Sequence, residues 1–338
     1  MKKLLGSLLA GLMVMSGTTA WAEALLINGA GATFPFPIYS KWFDEYHKSH
    51  PDIQFNYQSI GSGGGIRQVS ARTVDFGATD GPMTDAQLEA AKGTLLHFPT
   101  VLGGVVPAYN VEGVTEKLSF TQKAIAGIFL GDIANWNDPE IQKANPGVKL
   151  PAAPIVVVHR SDGSGTSYCW TDYLSKISSK WVTRAGRGTS VNWPVGLGGK
   201  GNEGVAGLVK QTPNTIGYVE LIYAKHNSIL YGKLQNKAGN FVDCSEETIS
   251  AAAASAKMPF DFRVSITNAD GAQAYPASTF TWLLIYASQS DKQKGQALVD
   301  FLHWMLKDGQ KFAPELGYAP LPAEVSTKVE AAIKKIKV

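Results

Sequence analysis

The strongest constraint on this chain is a unit that recurs near residues 24–48, 53–72 and 156–174: a strand-like run, a glycine-bearing turn, then a helix-like run. Such a unit delivers the backbone to a helix N-terminus, where the first amides have no internal acceptor and can hold an anion. Strand-like and helix-like segments alternate along the whole chain, a pattern that predicts an α/β fold. Strands are expected at Ala24–Ile27, Ile53–Ile60, Val101–Tyr109, Pro154–Arg160, Thr215–Leu221 and Thr279–Tyr286. Helices are expected over Thr33–Lys48, Ile66–Arg72 and, last in the chain, Gln296–Leu306. In the first of these, Ile38, Trp42 and Tyr46 share one face. The β-rich stretches near Tyr109 and Pro276 are the places for the chain to leave one domain and return to it.

Length and composition narrow the class. The 338 residues, 44% hydrophobic and 17% charged, suffice for two domains and exclude disorder and coiled coil. With 31 Lys and Arg against 28 Asp and Glu there is no basic stripe for a polyphosphate backbone, so no nucleic acid is expected as a partner. Lys2 and Lys3 precede an apolar run, Leu4–Met15, and then Ala20-Trp21-Ala22, which reads as a signal peptide over residues 1–22. The run is shorter than the roughly 20 apolar residues that span a bilayer. No cysteine at the cleavage site offers a lipid attachment, so a soluble periplasmic protein is expected. Cys169 and Cys244 allow either one disulfide or two unrelated buried thiols.

Each turn carries distinct chemistry. The first, Gly29-Ala-Gly-Ala-Thr33-Phe34-Pro35, offers Thr33 as an N-cap. In the second, Gly61-Ser62-Gly63-Gly64-Gly65, backbone can approach a ligand closely. The third runs from Arg160 through Asp162 and Gly163 to Ser164, Gly165 and Thr166. Arg160 brings a fixed charge with planar donors suited to an oxyanion, Asp162 is spaced to hold the guanidinium, and Ser164–Thr166 add amides and hydroxyls. A fourth element, Val74–Thr79, ends on Asp80. A carboxylate accepts no anion unless the anion brings a proton, so Asp80 beside three anion seats points to a protonated oxyanion.

Other motifs carry less. Gly196-Leu-Gly198-Gly-Lys-Gly201 matches a dinucleotide fingerprint, but Pro194 spoils the strand it needs, and a structural role before the helix Val205–Gln211 is expected instead. His47 and His50 lack a third ligand, so no metal or other cofactor is expected. His159 is expected to be packed or solvated, and Ala251–Ala254 to lie on an exposed helix.

The segments GAGATFPFPIYSKW, QSIGSGGGIRQ, TVDFGATDGPMT, RSDGSGTS and WPVGLGGKGNEGVAG occur in this order. With them the chain, from about Leu25 to its end, resembles the periplasmic phosphate-binding proteins of bacterial high-affinity phosphate ABC transporters. The resemblance implies a type II periplasmic-binding-protein-like α/β fold, with two α/β domains joined by crossing strands and the ligand cleft between them. Domain I would comprise residues 23–108 plus 279–338, and domain II residues 109–278. Carried over by motif, the phosphate contacts fall on Thr33, Phe34, Ser62, Asp80, Arg160, Ser164, Gly165 and Thr166, with Asp162 orienting Arg160. The implied function is non-enzymatic: a monomer that binds inorganic phosphate and delivers it to the transporter's permease subunits. Two alternatives stand beside it, a secreted phosphoester hydrolase with Ser164 as nucleophile and a carrier of another oxyanion such as sulfate. The hydrolase lacks a GxSxG elbow and a histidine placed to deprotonate Ser164.

Overall fold

The computed structural model describes residues 24–338; the expected signal peptide lies outside them. Among the described residues no helix is long and apolar enough to cross a membrane. Twelve strands form: β1 (Leu25–Gly31), β2 (Ile53–Ser59), β3 (Phe76–Thr79), β4 (Leu95–Asn110), β5 (Ser119–Phe120), β6 (Val156–Arg160), β7 (Leu197–Gly199), β8 (Thr215–Glu220), β9 (Leu230–Tyr231), β10 (Lys233–Gln235), β11 (Phe241–Val242) and β12 (Ser278–Tyr286). The large sheet runs β2-β1-β3-β12-β4-β8-β6-β7, with β9 also on β4, and β11-β10-β5 form a small second sheet.

The sheet changes character at one point on β4. Residues Leu95–Gly104 pair with β12, whereas Val105–Asn110 pair with β8, both antiparallel. On one side of that switch β1 pairs in parallel with β2 and β3; on the other, β6 pairs in parallel with β7 and β8. β12 is buried along its whole length and β4 along nearly all of it, which is why both read as near-continuous apolar runs.

Aromatic side chains pack on both flanks of the switch, within one contiguous core. Ile38, Tyr39, Trp42, Phe43 and Tyr46 of the helix Phe36–Ser49 are buried, as the periodicity predicts, and Phe43 stacks on Phe55 at 4.8 Å between ring centroids. Beyond the switch, Trp170 stacks on Tyr218 at 5.5 Å and meets Phe129 edge-on at 5.3 Å.

Several local expectations are corrected. Thr33 caps no helix: the first helix starts at Phe36 with Pro35 before it, and no side chain caps it. The second helix begins at Ser62, so three of the glycines form its first turn. A Cβ on Gly65 would come within 2.5 Å of Gly31 Cα, and only glycine lets the helix lie this close to β1. The helix Lys292–Trp304 buries Leu298, Phe301 and Leu302 but is not the last, because Ala323–Ile333 follows. Ala252 and Ala253 are buried rather than on an exposed face. Both cysteines are buried free thiols, so the bridge does not form.

Candidate functional site

The third turn builds the charged part of the site. Arg160 is the last residue of β6, and its side chain is buried. Asp162 grips it through two bonds, from Nε to Oδ1 at 2.8 Å and from Nη2 to Oδ2 at 2.6 Å. A third bond runs from Nη1 to Thr166 Oγ1 at 3.3 Å, leaving one N–H on each terminal nitrogen. Asp162 Oδ1 also accepts the Gly201 amide at 3.0 Å, at the start of the helix Gly201–Gln211. Burial pushes the Asp162 carboxyl up, but the bonds from Arg160 and the Gly201 amide outweigh it and hold the group below the usual carboxylate range. The guanidinium therefore arrives aimed and already partnered.

The second and third turns touch. Gly63 donates its amide to the Gly163 carbonyl at 2.8 Å, and Ser62 Oγ accepts the Gly165 amide at 3.0 Å. Gly61 has φ +85°, and a Cβ there would collide with Asp162 Oδ2 and the Gly163 carbonyl, so the contact requires glycine. A Cβ on Gly165 would in turn fall 2.5 Å from Asp80 Oδ2 and Ser62 Oγ, which places these three residues around one point.

Asp80 stands at the end of β3. Its amide donates to Ser62 Oγ at 3.2 Å, and its Oδ1 accepts from Thr281 Oγ1 at 2.9 Å. Oδ2 is buried and has no hydrogen-bond partner. Burial pushes the carboxyl up to about 7 against the pull of Thr281, Arg160 and Ser62. A buried acceptor without a donor costs roughly 1–3 kcal/mol or more, so this oxygen is built for a donor brought from outside the fold.

The first turn joins through its backbone and one hydroxyl. Phe34 is fully buried and packs on Tyr318, whose hydroxyl donates to the Phe34 carbonyl at 2.7 Å. Only the Phe34 amide is left to face the site. The Thr33 carbonyl accepts from the Tyr223 hydroxyl, and Thr33 Oγ1 accepts from Asn202 Nδ2 at 2.8 Å. Ser164 differs from its sequence reading: its amide is used on the Thr189 carbonyl and its Oγ caps the helix Gly165–Ile177 by accepting from Ser167. It contributes a hydroxyl proton and no amide. Among the described residues that capping bond is the one to Ser164 Oγ, and His159 stacks on Trp193 at 4.9 Å rather than bonding the serine.

Of the nine residues read from the motifs, Arg160, Asp162, Thr166 and Thr33 are linked through Asn202, and Ser62, Gly165 and Asp80 are linked to one another, while Phe34 and Ser164 sit beside them on bonds to Tyr318, Ser167 and Thr189. Asn202 bridges Thr33 and Thr166, Thr281 holds Asp80, and Tyr223 and Tyr318 pin the first turn. No local signal marks Thr281 or the tyrosines, since each acts from a distant strand or helix. Asn202 follows Gly201 in the motif given a structural role, and that role proves to be at the site's wall. No group of three His, Cys, Asp or Glu able to hold a metal occurs among the described residues. A 350 Å³ groove lined by Met258, Phe260, Phe262 and Lys335 shares no residue with the site.

Hydroxyl and guanidinium groups gathered around the buried Asp80 carboxylate from both sides of the β4 switch are the arrangement of a solute-binding protein. Comparison with known proteins agrees: the PBP superfamily domain matches residues 17–308. The chain is 47% identical over 315 residues to the phosphate-binding protein PstS of Pasteurella multocida, covering 92% of this chain and 91% of that one. It belongs to the PstS family of phosphate-binding proteins. Its fold is shared with a solved high-affinity periplasmic phosphate-binding protein bound with phosphate (TM-score 0.75, 20% identity, covering 91% of this chain and 93% of that one). It is also shared with an ABC-type phosphate transport receptor from Vibrio cholerae (TM-score 0.58, 19% identity, covering 88% of this chain and 100% of that one).

Proposed function

We propose that the protein binds one inorganic phosphate ion and delivers it to the permease subunits of an ABC transporter for import. The observation that carries this reading is Asp80 Oδ2, a buried acceptor without a partner among the described residues, set against Ser62, Gly165 and Thr281. Arg160, the hydroxyls of Thr33, Ser62, Ser164 and Thr166, and the amides of Phe34 and Thr166 serve the anionic oxygens, the Gly165 amide being taken by Ser62 Oγ; Asp80 takes the proton of the fourth. Burying an anion costs several kcal/mol even after relaxation, and charge-assisted bonds of roughly 1.5–3 kcal/mol each, made by this many donors, can offset it.

Binding closes one half of the molecule on the other, the halves being residues 23–108 plus 279–338 and residues 109–278. The partner switch at Gly104/Val105 supports this division, as does the crossing of the site by Ser62–Gly165 and Gly63–Gly163. The protein works as a monomer in the periplasm after loss of residues 1–22, and nucleic acid is no partner. Sulfate is the poorer cargo because, fully ionised, it has no proton for Asp80 and could be met only by an Asp80 that keeps its own, a form that thins out as pH rises above about 7. The deciding experiment is a calorimetric titration with phosphate and then sulfate: heat with phosphate and none with sulfate is expected, and equal binding of both would overturn the assignment.

A further inference from the structure

We propose that Asn202 is a positioning residue that turns two hydroxyls of the site into obligate donors; the inference rests on the phosphate-binding reading. A hydroxyl has one proton and two acceptor positions, so filling both positions leaves the proton to point elsewhere. Ser62 Oγ is filled by the amides of Asp80 and Gly165 at 3.2 and 3.0 Å. Thr33 Oγ1 is filled by Asn202 Nδ2 at 2.8 Å and the Asn202 amide at 3.3 Å. Thr166 Oγ1 is filled by Asn202 Nδ2 at 3.1 Å and Arg160 Nη1 at 3.3 Å. All four residues are buried, so no bulk water competes for these positions.

The orientation of the Asn202 amide is forced by its third partner. The Glu220 backbone N–H, 3.0 Å away, can only donate, so the atom facing it is Oδ1. Nδ2 then faces the threonines and spends one hydrogen on each. Thr33 lies before the first helix and Thr166 within the helix that follows β6, so one side chain ties the two walls together and sets the polarity of both. Without Asn202, either threonine could satisfy itself by donating to a neighbour and present lone pairs to the anion.

The test is phosphate titration calorimetry on the full mature chain with Asn202→Ala, Thr33→Val plus Thr166→Val, and all three substitutions. Asn202→Ala in the otherwise native chain is expected to weaken phosphate binding about tenfold or more, since two charge-assisted bonds lose their set polarity. In the Thr33→Val, Thr166→Val background the same change is expected to cost less than about twofold, because the hydroxyls it acts through are gone. A structural role would cost the same in both backgrounds. Asn202→Leu keeps much of the volume, adds no charge and offers the threonines no donor; it serves as the second variant should the alanine chain fail to fold, and it too should weaken binding less in the valine background. Full loss in the valine background, or no loss in the native one, overturns the inference. If the native chain itself takes up no phosphate, it is the binding reading that fails.

Discussion

Asp80→Asn tests the logic of the site most directly, because it replaces an acceptor-only group by one that can donate. Thr281 Oγ1 donates to Oδ1 of Asp80 at 2.9 Å; keeping that bond puts the amide oxygen in the Oδ1 position and Nδ2 in the place of the unpartnered Oδ2. The site's one acceptor becomes one more donor. In the native protein a fully ionised oxyanion sets a repelling oxygen against a buried carboxylate, and a site that demands a hydrogen bond can reject the analogue lacking it by about 10⁴ to 10⁵. That ratio corresponds to roughly 5.5–7 kcal/mol at 1.36 kcal/mol per decade. Removing the repulsion and adding a donor should restore at least about two decades of sulfate binding. Phosphate, whose dianion has three unprotonated oxygens to offer, should lose little. Competition of labelled phosphate by excess sulfate is the assay. If sulfate competes no better against Asp80→Asn than against the native protein, selectivity resides in the other donors and the role assigned to Asp80 is wrong.

Arg160→Ala should lower phosphate affinity more than any single hydroxyl deletion, because it removes the buried charge that offsets the anion and leaves Asp162 unpaired; equilibrium dialysis showing parity with Thr33→Val would contradict this. Phosphate should shrink the radius of gyration in small-angle scattering, and identical profiles with and without ligand would remove the case for closure. Asp80 also makes the ligand-free protein pH-sensitive: its folded pKa, raised to about 7 from 3.8, means the folded state holds a proton that the unfolded state has released. Stability should therefore fall as pH rises from about 4 to 7 and level off above, by an amount on the order of a few kcal/mol, and urea unfolding of Asp80→Asn should lack this component. Cys169 and Cys244, buried with thiols pushed well above their ordinary range, should resist a thiol reagent until the chain is denatured, and then react as two free groups.

What the sequence made legible was chemistry carried by contiguous residues. β6 enters Arg160, Asp162 and Ser164 within five positions, so the guanidinium, its orienting carboxylate and a helix start could all be read from spacing. Strands were also legible at Val101–Tyr109 and Thr279–Tyr286, although β4 begins earlier, at Leu95. Hidden from such a reading was whatever depends on which elements meet. Thr33 looks like a cap because a threonine before a helix usually is one. Here Asn202, 169 positions away, approaches it first, and the helix starts at Phe36 instead. Gly63–Gly65 look like a flexible turn, yet they are helical because a helix must pass against Gly31 and Gly163 with no side chain between.

The same distinction explains why Asp80 is more informative in the fold than in the chain. An aspartate before Gly-Pro has the ordinary composition of a turn. Its acceptor role becomes visible only when Thr281 from β12 occupies one oxygen, Ser62 takes its amide, and packing encloses the other oxygen without a donor. On the proposed reading, selectivity for a protonated oxyanion would come from an imbalance among strands and helices distant in sequence. Several elements contribute donors, one contributes an acceptor, and the surrounding amides and Asn202 fill the hydroxyl lone pairs that would blur the difference. A sulfate carrier on the same scaffold would have to convert that acceptor, and Asp80→Asn is the smallest change that does so, since it alters one atom of the carboxylate and leaves Thr281 and Ser62 in place.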